Sequence, residues 1–280
     1  MLHRFATMMM GPVLAIGLGL GPAFAQTEPT PADQLYAALK LPELLDVMRQ
    51  EGISYGAKIG ADLFPGAVDP DWTAQVATIY DADRMLTQSR AAFAAELAGV
   101  DLAPMLTFFT TEPGLTFAAL ELSARTALLD EAVDAANKDV AAVAMADNTP
   151  RYQLVSRFAA ANDLIETNVV GAMNSNFAYY LGLMQGGAVQ PGMTEEDVLA
   201  QVWDQEAEIR QTTTEWVYAF LLMAYQPLSD ADLEAYIAFS ETPAGKDLNQ
   251  AVFTAFDGMF VDISKALGVA SARYMVGDTL

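Results

Sequence analysis

The sequence predicts an all-α protein, a helical bundle built from two related helical repeats. Apolar residues recur at helical spacing over long stretches that end at Gly, Pro and Asp-rich turn signals. Alternation with a period of two, the pattern of half-buried strands, is convincing nowhere along the chain. Short motifs at helix junctions also recur in the same order, about 120 to 130 residues apart.

The first 25 residues are typical of a cleaved signal peptide. His3 and Arg4 precede an apolar run from Met8 to Leu20, and Ala23-Phe24-Ala25 supplies the small residues that signal peptidase requires. The run is shorter than the roughly 20 residues that cross a bilayer. We therefore expect cleavage after Ala25, a periplasmic location and no stable membrane anchoring of the mature chain.

A polar linker at 26–33 leads to the first predicted repeat, 34–147. Phe64-Pro65-Gly66 ends the first helical pattern, and Asp69-Pro70 has the composition of an N-cap followed by Pro at the first helical position. We expect helices over 35–63 with a break at Pro42, and then over 72–97, 101–109 and 113–146.

The second predicted repeat covers 151–272 and is followed by a tail, 273–280. Thr194-Glu195-Glu196-Asp197 resembles a capping box, and Trp216 to Tyr225 is apolar on every side, which indicates a helix buried within the bundle. We expect helices over 152–184, from the capping box to about 225, from 230 over a short span, and over 243–267.

Three pairs of segments indicate an internal duplication. Gly66-Ala67-Val68-Asp69-Pro70 returns as Gly187-Ala188-Val189-Gln190-Pro191, and Phe109-Thr110-Thr111-Glu112-Pro113 returns as Phe239-Ser240-Glu241-Thr242-Pro243. Leu44-Leu45 likewise aligns with Leu164-Ile165. Because the three pairs keep the same order and the same type of helix junction, we infer two related copies.

Composition excludes several chemistries. The chain has 36 acidic and 14 basic residues, a net charge of −22, so phosphate backbones and anionic headgroups are repelled and no nucleic-acid partner is expected. There is no cysteine, and the single histidine, His3, lies in the predicted signal peptide. Triads with histidine and zinc sites of Cys and His are therefore impossible in the mature chain, and no cofactor or metal site is expected.

Residues 228–246 read Leu-Ser-Asp-Ala-Asp-Leu-Glu-Ala-Tyr-Ile-Ala-Phe-Ser-Glu-Thr-Pro-Ala-Gly-Lys: a capped short helix, a Thr-Pro-x-Gly-Lys turn and the start of a long helix. This pattern resembles the exported bacterial family known as domain of unknown function 2059, over 228–264. A second copy at 102–129 fits less well, because Gly114 directly follows Pro113 and no lysine comes after. Ser240 also stands where the family has an aromatic residue. The resemblance implies fold and export, and it implies no chemistry.

The aromatic residues beside the two repeated junctions are the candidate site. They could line a groove on a pseudo-twofold axis, although such residues more commonly form core; the others mark the turns. The candidate groove and motif residues are Phe108, Phe109, Pro113, Gly114, Tyr236, Phe239, Pro243, Gly245 and Lys246. Glu121 and Arg125 are four residues apart on one helix, and we expect them to form an ion pair.

These observations favour a non-enzymatic binding or interaction module of the cell envelope, which takes a protein segment or an apolar ligand between its repeats. The absence of His and Cys argues against an enzyme, but two carboxylates suffice to hydrolyse a glycosidic bond. The alternatives are therefore a carboxylate-dependent hydrolase acting on envelope polymers and a structural role without a discrete site.

Overall fold

The protein is an all-α helical bundle, as the sequence predicts. The structure is a computed structural model, and it describes residues 28–63 and 69–276. Within these two ranges the chain forms thirteen α-helices and no strand. The predicted signal peptide lies outside the described residues, as do the first two linker residues, the segment 64–68 and the last four residues of the tail.

The helices follow one another through short connections. In chain order they are α1 (Pro31–Ala38), α2 (Leu41–Leu63), α3 (Pro70–Ile79), α4 (Ala82–Glu96), α5 (Ala103–Phe109), α6 (Gly114–Ala127), α7 (Glu131–Ala146), α8 (Pro150–Ala161), α9 (Leu164–Gln185), α10 (Glu195–Asp204), α11 (Glu206–Ala224), α12 (Asp230–Ser240) and α13 (Pro243–Met275).

Side chains with hydroxyl or carboxylate groups begin most of these helices, where backbone amides lack partners within the helix. Asp69 caps α3 ahead of Pro70, as predicted. The predicted capping box at α10 is also present, with Thr194 and Asp197 each bonded to the other's backbone N–H. These predictions are confirmed because a cap depends only on residues within one turn of each other.

Four of the long predicted helices are each divided in two, so those predictions were wrong. Asp81 and Asp130 accept hydrogen bonds from the amides that follow them and start α4 and α7. The chain turns at Asp163, where φ is 50°, between α8 and α9. Apolar spacing continues across these points, but the side chains of Asp81 and Asp130 each offer the backbone a local partner that interrupts the helix. Asp163 makes no such side-chain bond, and its left-handed backbone conformation ends α8 instead.

Gln205 separates α10 from α11 within the helix expected from the capping box to about 225. The break expected at Pro42 lies instead at 39–40, and Pro42 is inside α2.

One continuous core joins the two halves of the chain. Its buried residues run from Leu35 in α1 to Ala270 in α13. Helix α13, the longest, packs mainly against α9 and α4 and also contacts α2, α3, α5 and α12. Every residue from Trp216 to Tyr225 is buried or half-buried, as the apolar composition of this segment predicts. A smaller cluster around Val169 and Val202 packs α9 against α10.

Small residues let several helices approach closely. An ideal Cβ on Gly268 of α13 would lie 2.0 Å from the carbonyl oxygen of Tyr179 in α9, and one on Gly182 of α9 would lie 2.3 Å from that of Lys265. These two backbones therefore touch. Helix α2 similarly accepts side chains of α3 and of its C-cap residue Tyr80 on a row of glycines: the pairs are Gly52 with Tyr80, Gly56 with Val76, and Gly60 with Trp72.

Candidate ligand-binding pocket

Two helix junctions, which we call the first junction (108–114, between α5 and α6) and the second junction (239–245, between α12 and α13), share one close contact. A Cβ on Gly114 would lie 2.0 Å from the carbonyl oxygen of Phe108, and one on Gly245 would lie 2.2 Å from that of Phe239. Each glycine thus packs against the carbonyl six residues before it, where a side chain has no room.

This geometry matches Phe108 with Phe239 and Gly114 with Gly245. The sequence comparison instead aligned Phe109 with Phe239, one residue later. The two junctions also differ, because Thr242 caps α13 through a hydrogen bond from the Gly245 amide (3.0 Å), whereas α6 begins without a side-chain cap. The duplication of the whole repeat stays a prediction.

Aromatic rings bring the two junctions together. The rings of Phe108 and Phe239 are stacked, with centroids 4.2 Å apart and planes inclined by 12°. Phe117 stacks on Tyr236 in the same way, at 4.3 Å and 20°. Phe109 meets Phe239 edge to face at 5.6 Å. The packing therefore connects α5 and α6 of the first half to α12 of the second half.

A cavity of about 210 Å³ lies beside these rings. Helices α2, α5, α6, α8, α9, α11, α12 and α13 contribute to its wall, together with the α1–α2 connection. Most of the wall is apolar, and seven aromatic residues line it: Phe109, Phe158, Phe220, Tyr225, Tyr236, Phe239 and Phe253.

Within the described ranges, Glu121 is the single carboxylate that lines this cavity. The hydroxyl of Tyr225 donates a hydrogen bond of 2.6 Å to Glu121 Oε1, and the hydroxyl of Tyr236 also interacts with this carboxylate. Burial raises the pKa of Glu121, and the two hydroxyls oppose that rise. Burial and the adjacent Glu121 charge raise the pKa of both tyrosines well above its usual range, so they remain neutral donors.

The polar groups at the edge of the cavity already have partners. The Asn249 side chain donates to the backbone carbonyl of Asn162 (2.8 Å), and the Asn162 side chain donates to that of Phe158 (3.0 Å). Lys40 is the only basic residue among the described residues that line the cavity, and it pairs with Glu43 at 3.6 Å. Its side chain is 42% exposed, which places it at the mouth.

The expected ion pair between Glu121 and Arg125 is not the one that forms. Arg125 makes a bidentate pair with Glu51 of α2, with N···O distances of 2.7 and 2.6 Å, and its guanidinium lies 4.7 Å from the centre of the Trp216 ring. The planar guanidinium fits a carboxylate and an aromatic face at once. Arg125 is therefore held away from a bond with Glu121, which the tyrosines satisfy.

The predicted groove residues separate into two groups. Those that line the cavity are Phe109, Tyr236, Phe239 and Gly245. The others shape the junctions around it: Phe108 stacks behind Phe239, Gly114 and the two prolines form the turns, and Lys246 is exposed. Sequence analysis missed Tyr225, because its partner Glu121 lies 104 residues away along the chain and no local pattern connects them.

No protein family, curated protein or solved structure matches this chain. Among the residues that the structure describes, no helix combines the length and apolarity needed to cross a membrane. No group of three or more His, Asp or Glu side chains in the described ranges is placed to hold a metal ion.

Proposed function

We propose that this protein is a non-enzymatic binding module that holds a small, largely apolar molecule in the pocket between its two junctions. The observation that carries the proposal is the cavity of about 210 Å³ with seven aromatic residues in its wall. An empty apolar cavity of about 150 Å³ in another protein takes up benzene. A pocket of this volume and composition therefore has room for a ligand about the size of one substituted ring.

The cavity volume supports one of the two kinds of ligand that the sequence left open. Pockets for drug-sized ligands measure about 300–1,000 Å³, and a peptide segment requires a longer groove. The present pocket lies below that range, which favours a small molecule over a protein segment. The predicted export would place this binding in the periplasm, and the resemblance to domain of unknown function 2059 agrees with export.

The arrangement of acids favours binding over hydrolysis. A glycosidase of the usual kind needs two carboxyl groups, about 5 to 10 Å apart on either side of the scissile bond. Glu121 is the one carboxylate that the described residues place in the wall of this pocket, and its partners are tyrosine hydroxyls. The pocket therefore has a group that can orient a ligand, and its described residues include no second acid of the kind that the hydrolytic mechanism requires.

A cavity-filling substitution tests the proposal. Ala118 lines the pocket and is 3% exposed, whereas its neighbour Ala119 is on the solvent side of the same helix. Binding of ring-sized probes such as toluene and benzyl alcohol to the wild-type protein is detected by ligand-observed NMR and by the rise in Tm that the probe causes. Ala118→Leu should fill the cavity and abolish this binding. Ala119→Leu, the matched control, should bind like wild type.

Two results would contradict this proposal. In one, none of the ring-sized probes binds the wild-type protein at millimolar concentration. In the other, Ala118→Leu folds and binds them as well as the wild type does, which would place the binding somewhere else.

A further inference from the structure

Glu121 has no basic partner among the residues that the structure describes. The ion pairs of the described residues leave it out, and the nearest arginine along its helix, Arg125, is engaged by Glu51. Its interactions are with two neutral hydroxyls, those of Tyr225 and Tyr236. A carboxylate offers about four acceptor positions, so acceptor capacity remains on the side that lines the cavity.

A half-buried carboxylate without a counter-charge is costly, because hydroxyl donors only partly replace the water it has lost. The same position is favourable for a ligand that brings its own positive charge. Hydrogen bonds between an ammonium and a carboxylate are shorter and stronger than those between neutral groups. The pocket therefore contains a group whose missing partner is a cation.

The aromatic wall suits a cation in the same way. Ring faces carry negative potential, and ammonium groups enclosed by several rings gain from it. Phe158, Tyr225 and Tyr236 are in mutual contact, with centroids 4.7 to 6.2 Å apart, and all three line the cavity beside Glu121. The basic residue at the mouth, Lys40, is paired with Glu43, so the mouth adds little net positive charge against a cation.

We infer that the pocket binds a small organic amine in its protonated form, with the ammonium group bonded to Glu121 and the apolar body packed against the aromatic wall. This inference rests on the proposed function and specifies its ligand class. Cavity volume limits the body of the amine to about one ring or a short branched chain.

Three probes of nearly equal size separate the effect of ligand charge from that of the apolar ring. They are benzylamine, which is cationic at pH 7, benzyl alcohol, which is neutral, and benzoate, which is anionic. Dissociation constants are measured for the wild-type protein by calorimetry or NMR titration. We expect benzylamine to bind roughly ten- to a hundredfold more tightly than benzyl alcohol, as a charge-assisted hydrogen bond allows. Benzoate should bind more weakly than benzyl alcohol.

Substitution of Glu121 tests whether its carboxylate causes the preference for benzylamine over benzyl alcohol. Glu121→Gln should reduce benzylamine affinity to that of benzyl alcohol while benzyl alcohol affinity stays within about threefold of wild type, which also shows that the pocket is intact. The net charge of −22 attracts cations in general. Glu241→Gln therefore serves as the control, because it removes one exposed negative charge outside the cavity wall and should keep the preference for benzylamine.

Each outcome has a separate meaning. Equal affinities for benzylamine and benzyl alcohol in the wild type would overturn the inference about amines and leave the proposed function standing. Preference for benzoate would overturn the inference too, since it would mean that the pocket recognises an anion. Failure of all three probes would refute the proposed function itself. The wild-type comparison needs no variant, so it decides the inference even if Glu121→Gln does not fold.

Discussion

Substitution of Gly268 by alanine tests the close packing of α9 against α13. The new Cβ would lie 2.0 Å from the carbonyl oxygen of Tyr179 and 3.0 Å from the Cα of Gly182. Real Cβ contacts are essentially never shorter than 3.0 Å, so the two backbones must separate by about 1 Å locally. No side-chain rotation relieves this contact, because the opposing atoms belong to the backbone.

Two opposing effects determine how much Gly268→Ala lowers the free energy of unfolding. Overpacking a core position costs about 1–3 kcal/mol, and a backbone contact in the longest helix belongs at the upper end of that range. Replacing glycine by alanine within a helix recovers about 1 kcal/mol of helix propensity. The net loss is about 2 kcal/mol, which for a protein of this size corresponds to a fall in Tm of roughly 4–8 °C.

Helix α13 provides its own control at Gly258. A Cβ there would meet no atom within 4 Å, so Gly258→Ala should stabilise the protein by about 0.5–1 kcal/mol and raise Tm by roughly 1–4 °C. Thermal and urea unfolding followed by circular dichroism measure both variants. The same substitution ten residues apart on one helix should thus change stability in opposite directions. Equal effects for the two variants would refute the proposed contact between α9 and α13.

Three other predictions concern polar groups. Burial raises the pKa of Glu121 in the folded state, so Glu121 ionises at a lower pH in the unfolded chain than in the folded one. The contribution of Glu121 to the free energy of unfolding therefore falls as pH rises from about 4.3 through the folded pKa. The difference in Tm between Glu121→Gln and wild type should therefore be more positive at pH 7 than at pH 4; a constant difference would contradict this. A double-mutant cycle of Arg125→Met and Glu51→Gln, measured by urea unfolding, should give a coupling free energy of about 1–2 kcal/mol, because the two side chains are only 18% and 33% exposed. A coupling near zero would show that the pair contributes nothing to stability. Tyr36→Phe removes a buried hydrogen bond of 2.7 Å to Ser89 and should cost about 1 kcal/mol in urea unfolding, since Ser89 keeps its bond to a backbone carbonyl; an unchanged midpoint would argue against that bond.

The local sequence determined where helices begin. Asp69 with Pro70, and Thr194 with Asp197, predicted two starts that the structure confirms, because each cap joins groups within three residues of each other. Asp81 carried the same signal, and sequence analysis did not give it enough weight against continuous apolar spacing.

A further local signal was present and was not used. Gly52, Gly56 and Gly60 recur every four residues, and such a row lies along one face of a helix. A glycine face allows another helix to approach closely, and α3 places its large side chains there. The spacing could have predicted a close helix contact, although it did not identify α3 as the partner.

Only the tertiary structure decided which groups form the pocket. Glu121 and Arg125 are four residues apart, and the sequence favoured a bond between them. In the fold, Glu51 lies 74 residues from Arg125 and takes its guanidinium, and Tyr225 lies 104 residues from Glu121 and donates to its carboxylate. A helix-spaced ion pair contributes only about 0.2–0.5 kcal/mol, and partners supplied by other helices easily exceed that. Helical class and helix starts depend on neighbours in sequence, whereas the charge left without a counter-ion depends on how distant helices pack.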